Sequence, residues 1–257
     1  MSIDLKLVSQ LRDQTGAGIN DCQKALVEAE GDLTKAIEIL RKKGEVKAAK
    51  KADRAAKEGV VALSRAGDKI AAVALACETD FAARNEEFVA AANFLAQELL
   101  TKDEASFKES ADVKIKNELV VKIGENIQLA DYRILTGPVI GTYIHFDKKN
   151  AGVVILDGGD EALASDIAMQ VVAMSPKYLN PEAVPAEIIE KEKEIYREQL
   201  KGEGKPEAIW EKILVGKLAK FYAENCLLNQ SYIKDEDKTI ADLLGGATVK
   251  EFARLQI

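Results

Sequence analysis

In the first 44 residues the apolar positions recur at the spacing of a helix face. Leu7, Val8 and Leu11 form one stripe, Ile19, Cys22, Leu26 and Ala29 a second, and Leu33, Ala36, Ile37 and Leu40 a third. Thr15-Gly16-Ala17-Gly18 and Gly31-Asp32 interrupt them, as turn residues do. Three short helices are predicted, with Ser2 and Asp32 as N-caps of the first and third, and Gly44 as a C-cap past the third. The core of so small a unit is near the lower limit for folding alone, which suits recognition better than chemistry. Between residues 45 and 58 the stripe fades. Ala and Lys dominate, so helical propensity is high but little can be buried, and a solvated linker helix is expected.

From residue 59 the apolar residues come in short unbroken blocks. Residues 59–64 and 70–76, parted by Ala66-Gly67-Asp68, read as two strands, and a helical pattern begins near Asn85 and carries through residues 88–100. The arrangement then returns: a strand over 139–146, a turn at 147–150, a strand over 152–156 and a helix over 161–174. Each half is a hairpin with a helix laid across it, a weak internal duplication. Between the halves, residues 111–123 read as an amphipathic helix closed by Gly124, and 129–135 as a further strand. Antiparallel strands on short turns, with helices kept to one face, define an α+β fold.

Pro176, Pro181 and Pro185 mark a boundary. Beyond it, residues 186–200 and 206–228 read as two helices joined by Lys201-Gly202-Glu203-Gly204-Lys205, with Pro206 at a helix start. Ile188, Ile195 and Leu200 could face Ile209, Ile213 and Phe221, giving an antiparallel helical hairpin. Residues 238–257 read as a short helix and a strand through Ala253, Leu255 and Ile257, an apolar ending that suggests truncation. The expected organisation is a three-helix N-terminal domain plus linker over 1–54, one core subdomain over 55–138, a second over 139–182 and 229–257, and the helical hairpin inserted over 183–228.

Composition narrows the class. A chain of 257 residues can form two or three units, and 47% apolar with 31% charged residues fits a globular protein rather than a disordered one. No apolar run approaches the roughly 18 residues of a membrane span, and the N-terminus lacks the basic and apolar regions of a signal peptide. Cys22, Cys77 and Cys226 are far apart and odd in number, which points to reduced thiols in the cytoplasm. A net charge of −7 disfavours general nucleic-acid binding, and aromatics at 5% offer no stacking platform. Residues 41–58 alone run the other way, with eight basic against three acidic residues. A solvated face explains them better than contact with RNA or an acidic surface.

Catalytic chemistry is hard to assemble from these residues. His145 is the single histidine and cannot build a His-based metal site, and no cysteine pair supplies ligands. No spacing suggests a nucleophile, base and acid set. Residues 15–18 are not a dinucleotide fingerprint, since no strand precedes them and Asp21 stands where the third glycine belongs. Gly202-Glu203-Gly204-Lys205 lacks the upstream glycine of a phosphate loop, and Pro206 replaces its Ser or Thr. The chain therefore reads as a non-enzyme with no cofactor and no metal. What stands out is Phe81, one aromatic among Glu78, Thr79, Asp80, Arg84 and Asn85 where a strand gives way to a helix. It either plugs the local core or is presented to a partner. The matching turn of the second half, Asp157-Gly158-Gly159-Asp160, has no aromatic, which favours presentation.

Three segments carry a resemblance. They are Leu11-Arg12-Asp13-Gln14-Thr15-Gly16-Ala17-Gly18-Ile19-Asn20-Asp21-Cys22-Gln23-Lys24-Ala25-Leu26, Thr79-Asp80-Phe81-Ala82-Ala83-Arg84-Asn85 and Lys122-Ile123-Gly124-Glu125-Asn126-Ile127. In that order and at these separations the chain resembles the bacterial elongation factor Ts family over nearly its whole length. The resemblance implies an N-terminal domain of ubiquitin-associated type, a duplicated α+β core and a helical hairpin. It also implies a guanine-nucleotide exchange factor that binds elongation factor Tu·GDP and promotes exchange of GDP for GTP. By the family's pattern Thr79, Asp80, Phe81 and Ala82 enter the partner's nucleotide-binding domain. Phe81 would wedge between two partner helices and shift the segment holding the nucleotide's Mg2+, while Asp80 hydrogen-bonds the partner. Displacing that ion weakens GDP binding. By linkage, a factor that lowers nucleotide affinity must bind the nucleotide-free partner more tightly than the loaded one. No nucleotide, nucleic acid or membrane need touch this chain.

Further contacts implied by the resemblance are Arg12 and the Ile19-Asn20 turn on the partner's nucleotide-binding domain, and His145 in the second half of the core. The family usually carries two methionines where Ile19 and Asn20 stand, and Asn20 cannot supply the same apolar contact. Ala82 is often Val in the family. The family's short C-terminal helix, which also grips the partner, is missing, which implies lower affinity. Some members pair through the hairpin, so a homodimer is one expectation; two helices that satisfy each other is the alternative. Two other functions fit parts of the chain. One is an adaptor whose three-helix domain binds a ubiquitin-like or nascent-chain surface, the other an RNA-binding accessory protein using residues 41–58. Neither gives the Thr-Asp-Phe turn a job.

Overall fold

A computed structural model describes residues 4–257; the predicted cap Ser2 lies outside them. The fold is α+β. Its contacts divide into two compact units, one holding the residues up to Ile134 with Phe146–Asn150 and Leu255–Ile257, the other Leu135–His145 and Ala151–Arg254.

The first unit begins with helices α1 (Leu5–Thr15), α2 (Ile19–Glu28) and α3 (Leu33–Lys51). Asp4 caps α1 by accepting the Lys6 amide at 2.9 Å, and Asp32 caps α3 by accepting those of Thr34 and Lys35. Val8, Leu11, Cys22, Leu26, Ala36 and Leu40 form their core. Two expectations fail here. Ile19 does not share the buried face of α2 and is 50% exposed. Gly44 does not end the third helix: α3 runs on to Lys51 with Gly44 buried inside it. A Cβ on Gly44 would lie 2.6 Å from Val121 Cγ2 and 2.7 Å from the Lys116 carbonyl oxygen. The glycine is there for close approach of helices, not for a stop. The predicted separate linker helix is thus largely the end of α3.

The hairpin of β1 (Glu58–Ala66) and β2 (Lys69–Cys77) pairs antiparallel from Glu58 with Cys77 to Ala66 with Lys69. A one-turn helix, α4 (Asp80–Ala83), leads into α5 (Glu86–Thr101). Phe88, Leu95 and Leu99 of α5 join Val60, Val73 and Leu75 of the hairpin in one core. Next, α6 (Glu104–Lys114) continues through a π-helical turn (Ile115–Leu119) into α7 (Val120–Ile123), which ends on Gly124 at φ +81° as predicted. The helix predicted over 111–123 therefore begins earlier, with Asp103 capping the Ser106 amide. Strand β3 (Gln128–Thr136) completes a sheet of order β1-β2-β3.

The second unit repeats the plan. Strands β4 (Val139–Ile144) and β5 (Asn150–Asp157) pair antiparallel, and α8 (Glu161–Met174), capped by Asp160, lies on them. A Cβ at Gly141 or Gly152 would strike the α8 backbone at Ala164 or Ala168, so glycine is what lets the helix rest directly on these strands. The predicted strand over 139–146 stops at Ile144, leaving His145 and Phe146 beyond it. Helices α9 (Ala186–Gly202) and α10 (Trp210–Asn225) form the antiparallel hairpin. Its buried side chains are Leu200 and Leu214, whereas Ile195 and Ile209, predicted to face inward, are each 42% exposed. The hairpin's ends meet where Asn225 accepts the Lys177 amide at 2.9 Å and Tyr178 accepts that of Leu227 at 2.9 Å. A small unpredicted hairpin, β6 (Ser231–Tyr232) and β7 (Asp235–Thr239), precedes α11 (Ile240–Leu243). Strand β8 (Thr248–Gln256) completes a second sheet of order β4-β5-β8.

Candidate functional site

Strand β2 ends on Cys77 and α5 starts at Glu86, and the residues between make the helical turn α4. Thr79, in an extended conformation, caps this turn by accepting the Ala82 amide at 3.2 Å. Ala82 and Ala83 are 5% and 7% exposed and fill the inward side. Phe81 is 81% exposed, while Phe88 in the next helix is fully buried and supplies the aromatic of the core. The ring is exposed and does not plug the local core. Asp80 pairs with Arg84 at 3.2 Å across the same turn, flanking the ring with a charge pair.

The turn is held by Glu125. One oxygen, Oε2, accepts the backbone amides of Glu78 and Thr79, each at 3.0 Å; the other, Oε1, accepts the Thr79 hydroxyl at 2.6 Å. In return, the Glu78 carboxylate accepts the Asn126 amide at 2.7 Å, and the Asn126 side chain donates to the Arg54 carbonyl at 2.7 Å. The Cys77 thiol donates to the Thr79 carbonyl at 3.3 Å. Burial foremost, then the Glu125 charge, pushes that thiol up to about 12, so it stays protonated at neutral pH. Lys122, two residues before the Gly124 cap, packs against Gly16 and pairs with Glu87 at 3.3 Å in the first turn of α5. The third motif thus touches both others. Neither Glu125 nor Lys122 was given a role from sequence, because their bonds reach residues remote in the chain.

Arg12, in the last turn of α1, and Ile19 and Asn20, at the start of α2, are all exposed, and Ala17 between the two helices is buried. His145 is half-buried just past β4, its Nδ1 3.1 Å from the Tyr143 hydroxyl. A cavity of about 720 Å³ opens beside the Phe81 turn, lined among others by Glu58, Asp80, Arg84, Phe146 and Lys149. Phe146, 88% exposed, is a second exposed aromatic that periodicity did not single out. Its loop is fastened to β1, where the Lys148 carbonyl accepts the Val61 amide at 2.7 Å and Lys149 pairs with Glu58 at 2.5 Å.

The basic stretch is partly spent on the chain itself. Lys43 pairs with Glu28 at 2.6 Å, Lys47 with Asp21 at 2.7 Å and Arg54 with Glu78 at 3.5 Å, while Lys51 donates to the Gly124 carbonyl. Among the described residues, Cys22, Cys77 and Cys226 are free and buried, no group of His, Cys, Asp and Glu is placed to hold a metal ion, and no helix is long and apolar enough to cross a membrane.

Comparison with known proteins adds a family. The family model described as Elongation factor TS matches residues 78–257. Elongation factor Ts of Hydrogenobaculum sp. is 45% identical over 272 aligned positions, covering 100% of this chain and 99% of the relative. Those of Psychromonas ingrahamii and Marinobacter nauticus are 45% and 43% identical, covering all of this chain and 91% of each relative.

Proposed function

The chain belongs to the elongation factor Ts family of translation elongation factors, and from that premise we propose that it binds elongation factor Tu·GDP in the cytoplasm and promotes exchange of GDP for GTP, with no catalytic site of its own. The observation that carries this reading is the Phe81 ring, 81% exposed on a turn fixed by hydrogen bonds on both sides. A large apolar side chain left in water gains free energy when a partner buries it, and a ring on a rigid turn loses little entropy on docking.

In this mechanism Phe81 enters between two partner helices and Asp80 hydrogen-bonds the partner. Thr79 and the buried Ala82 anchor the turn that carries them. The insertion shifts the partner segment that holds Mg2+. Without the cation the phosphate charges of GDP are poorly compensated, and the nucleotide leaves. GTP then binds the emptied partner and, by the same coupling, expels the exchange factor. Arg12, Ile19 and Asn20 supply a second contact from the α1–α2 corner, Ile19 contributing the apolar part and Asn20 a polar one. His145 contributes from the second unit. The hairpin, with Ile195, Ile209 and Val215 exposed, is the place for self-association if the chain dimerises.

The pairing of Lys43, Lys47, Lys51 and Arg54 within the chain speaks against a dedicated RNA surface there. An adaptor function leaves the Phe81 turn without a role. The test is release of fluorescent GDP from elongation factor Tu on mixing with the intact chain. Release accelerated by substoichiometric amounts of the chain is the expected result; release at the spontaneous rate would overturn the proposal.

A further inference from the structure

We infer that Glu125 is the positioning residue for the exchange wedge, fixing the conformation of the Phe81 turn before any partner arrives. The inference rests on the exchange function proposed above. One carboxylate accepts two consecutive backbone amides and a hydroxyl, and hydrogen bonds to an ionised acceptor are roughly twice as strong as neutral ones. The hydroxyl bond has a directional consequence. Thr79 has a single hydroxyl proton, and Glu125 takes it at 2.6 Å. The oxygen's lone pairs are then left to accept the Ala82 amide at 3.2 Å, which is the bond that starts α4. Glu125 orients Thr79, Thr79 caps α4, and α4 aims Phe81.

The clamp is itself fixed. Glu125 follows the left-handed Gly124 at the end of α7, and its neighbour Asn126 is tied to both Glu78 and the Arg54 carbonyl. The turn at the same place in the second hairpin carries no aromatic; there Asp160 caps α8 with its own side chain after Gly158 and Gly159. A wedge must push against a partner, and a turn free to rotate would yield instead. Glu125 therefore belongs to the exchange machinery although it lies behind the ring.

The experiment measures fluorescent GDP release from elongation factor Tu at saturating concentrations of the intact wild-type chain, Glu125→Ala, Glu125→Gln, Thr79→Val, Phe81→Ala and the Phe81→Ala/Glu125→Ala double variant. Amide hydrogen exchange of each variant is followed alongside. Glu125→Ala should lower the maximal release rate about tenfold, in line with loss of a charge-assisted hydrogen bond. Glu125→Gln should recover only part of it, since its carbonyl can still accept both amides but its amide nitrogen cannot accept the Thr79 hydroxyl. Without the ring the turn's conformation no longer matters, so the double variant should be no slower than Phe81→Ala alone. In Glu125→Ala the Glu78 and Thr79 amides should exchange faster while those of α5 stay protected. Wild-type release by a folded Glu125→Ala, or equal slowing by Glu125→Ala with and without the ring, would overturn the inference. If Glu125→Ala does not fold, Thr79→Val decides alone: wild-type release by that variant removes the hydroxyl link and the inference with it. If the wild type itself fails to release GDP, the exchange function falls, and amide protection at Glu78 and Thr79 still reports whether the clamp exists.

Discussion

Phe81 and Cys77 stand four residues apart and face opposite environments, and each is read best from what surrounds it. The ring is exposed because Ala82 and Ala83 occupy the inward side of α4 and Phe88 already fills the core. That outcome was legible in the sequence through the second hairpin, whose matching turn carries no aromatic. Glu125 was not legible, since its bonds span 46 and 47 residues and leave no local pattern. Nor was the outward position of Ile19, which shares the helical spacing of the buried Cys22 and Leu26. Cys77 gives a prediction at this scale. Its thiol is raised from an ordinary value of 9.0 to about 12, chiefly by burial. A raised folded-state value means the folded protein holds the proton more tightly than the unfolded chain does. The resulting stability is fully present below pH 9 and is lost as pH rises towards 12. Unfolding free energies of wild type and Cys77→Ala across this range should converge as pH rises; a difference independent of pH would contradict it.

Among the elements, α3 departs furthest from its sequence pattern. A glycine after an apolar stripe reads as a C-cap, but the same residue also serves where two backbones approach closely, and a single sequence does not separate the two. The deciding residues, Lys116 and Val121, lie more than seventy positions away in the π-helical turn and α7. Gly44→Ala tests which effect wins. Alanine in a helix interior gains about 1 kcal/mol over glycine from propensity. Forcing a Cβ to 2.7 Å from a carbonyl oxygen costs typically 1–3 kcal/mol, because backbone cannot move aside as a flexible side chain can. Net destabilisation in urea unfolding is the expected result, and a stabilised variant would show that α3 is not held against that turn. By contrast, the β1–β2 and β4–β5 hairpins and the helices crossing them followed their apolar blocks closely, since both strand pairs use short turns and local pairing.

For the whole molecule, one plan used twice accounts for most of the architecture: a hairpin, a helix across it, and a third strand beside the hairpin's second. The additions to that plan carry the specialised parts. One copy gains the Phe81 turn and its Glu125 clamp. The other gains α9 and α10, and we read residues 183–228 as an insertion, a reading supported by the hydrogen bonds that close its ends at Tyr178 and Asn225. Motif spacing carried the likeness to elongation factor Ts, and the three motifs, far apart in sequence, are joined in space through Lys122, Glu125 and Asn126. On the proposed function, the exposed Phe81 ring on its preformed turn drives exchange. Stopped-flow release of fluorescent GDP from elongation factor Tu, with wild type and Phe81→Ala compared at saturating concentration and matched thermal stability, tests it most directly. A maximal rate lower by about tenfold or more is expected for Phe81→Ala, with the folded state unchanged. Equal rates for the two proteins would contradict it.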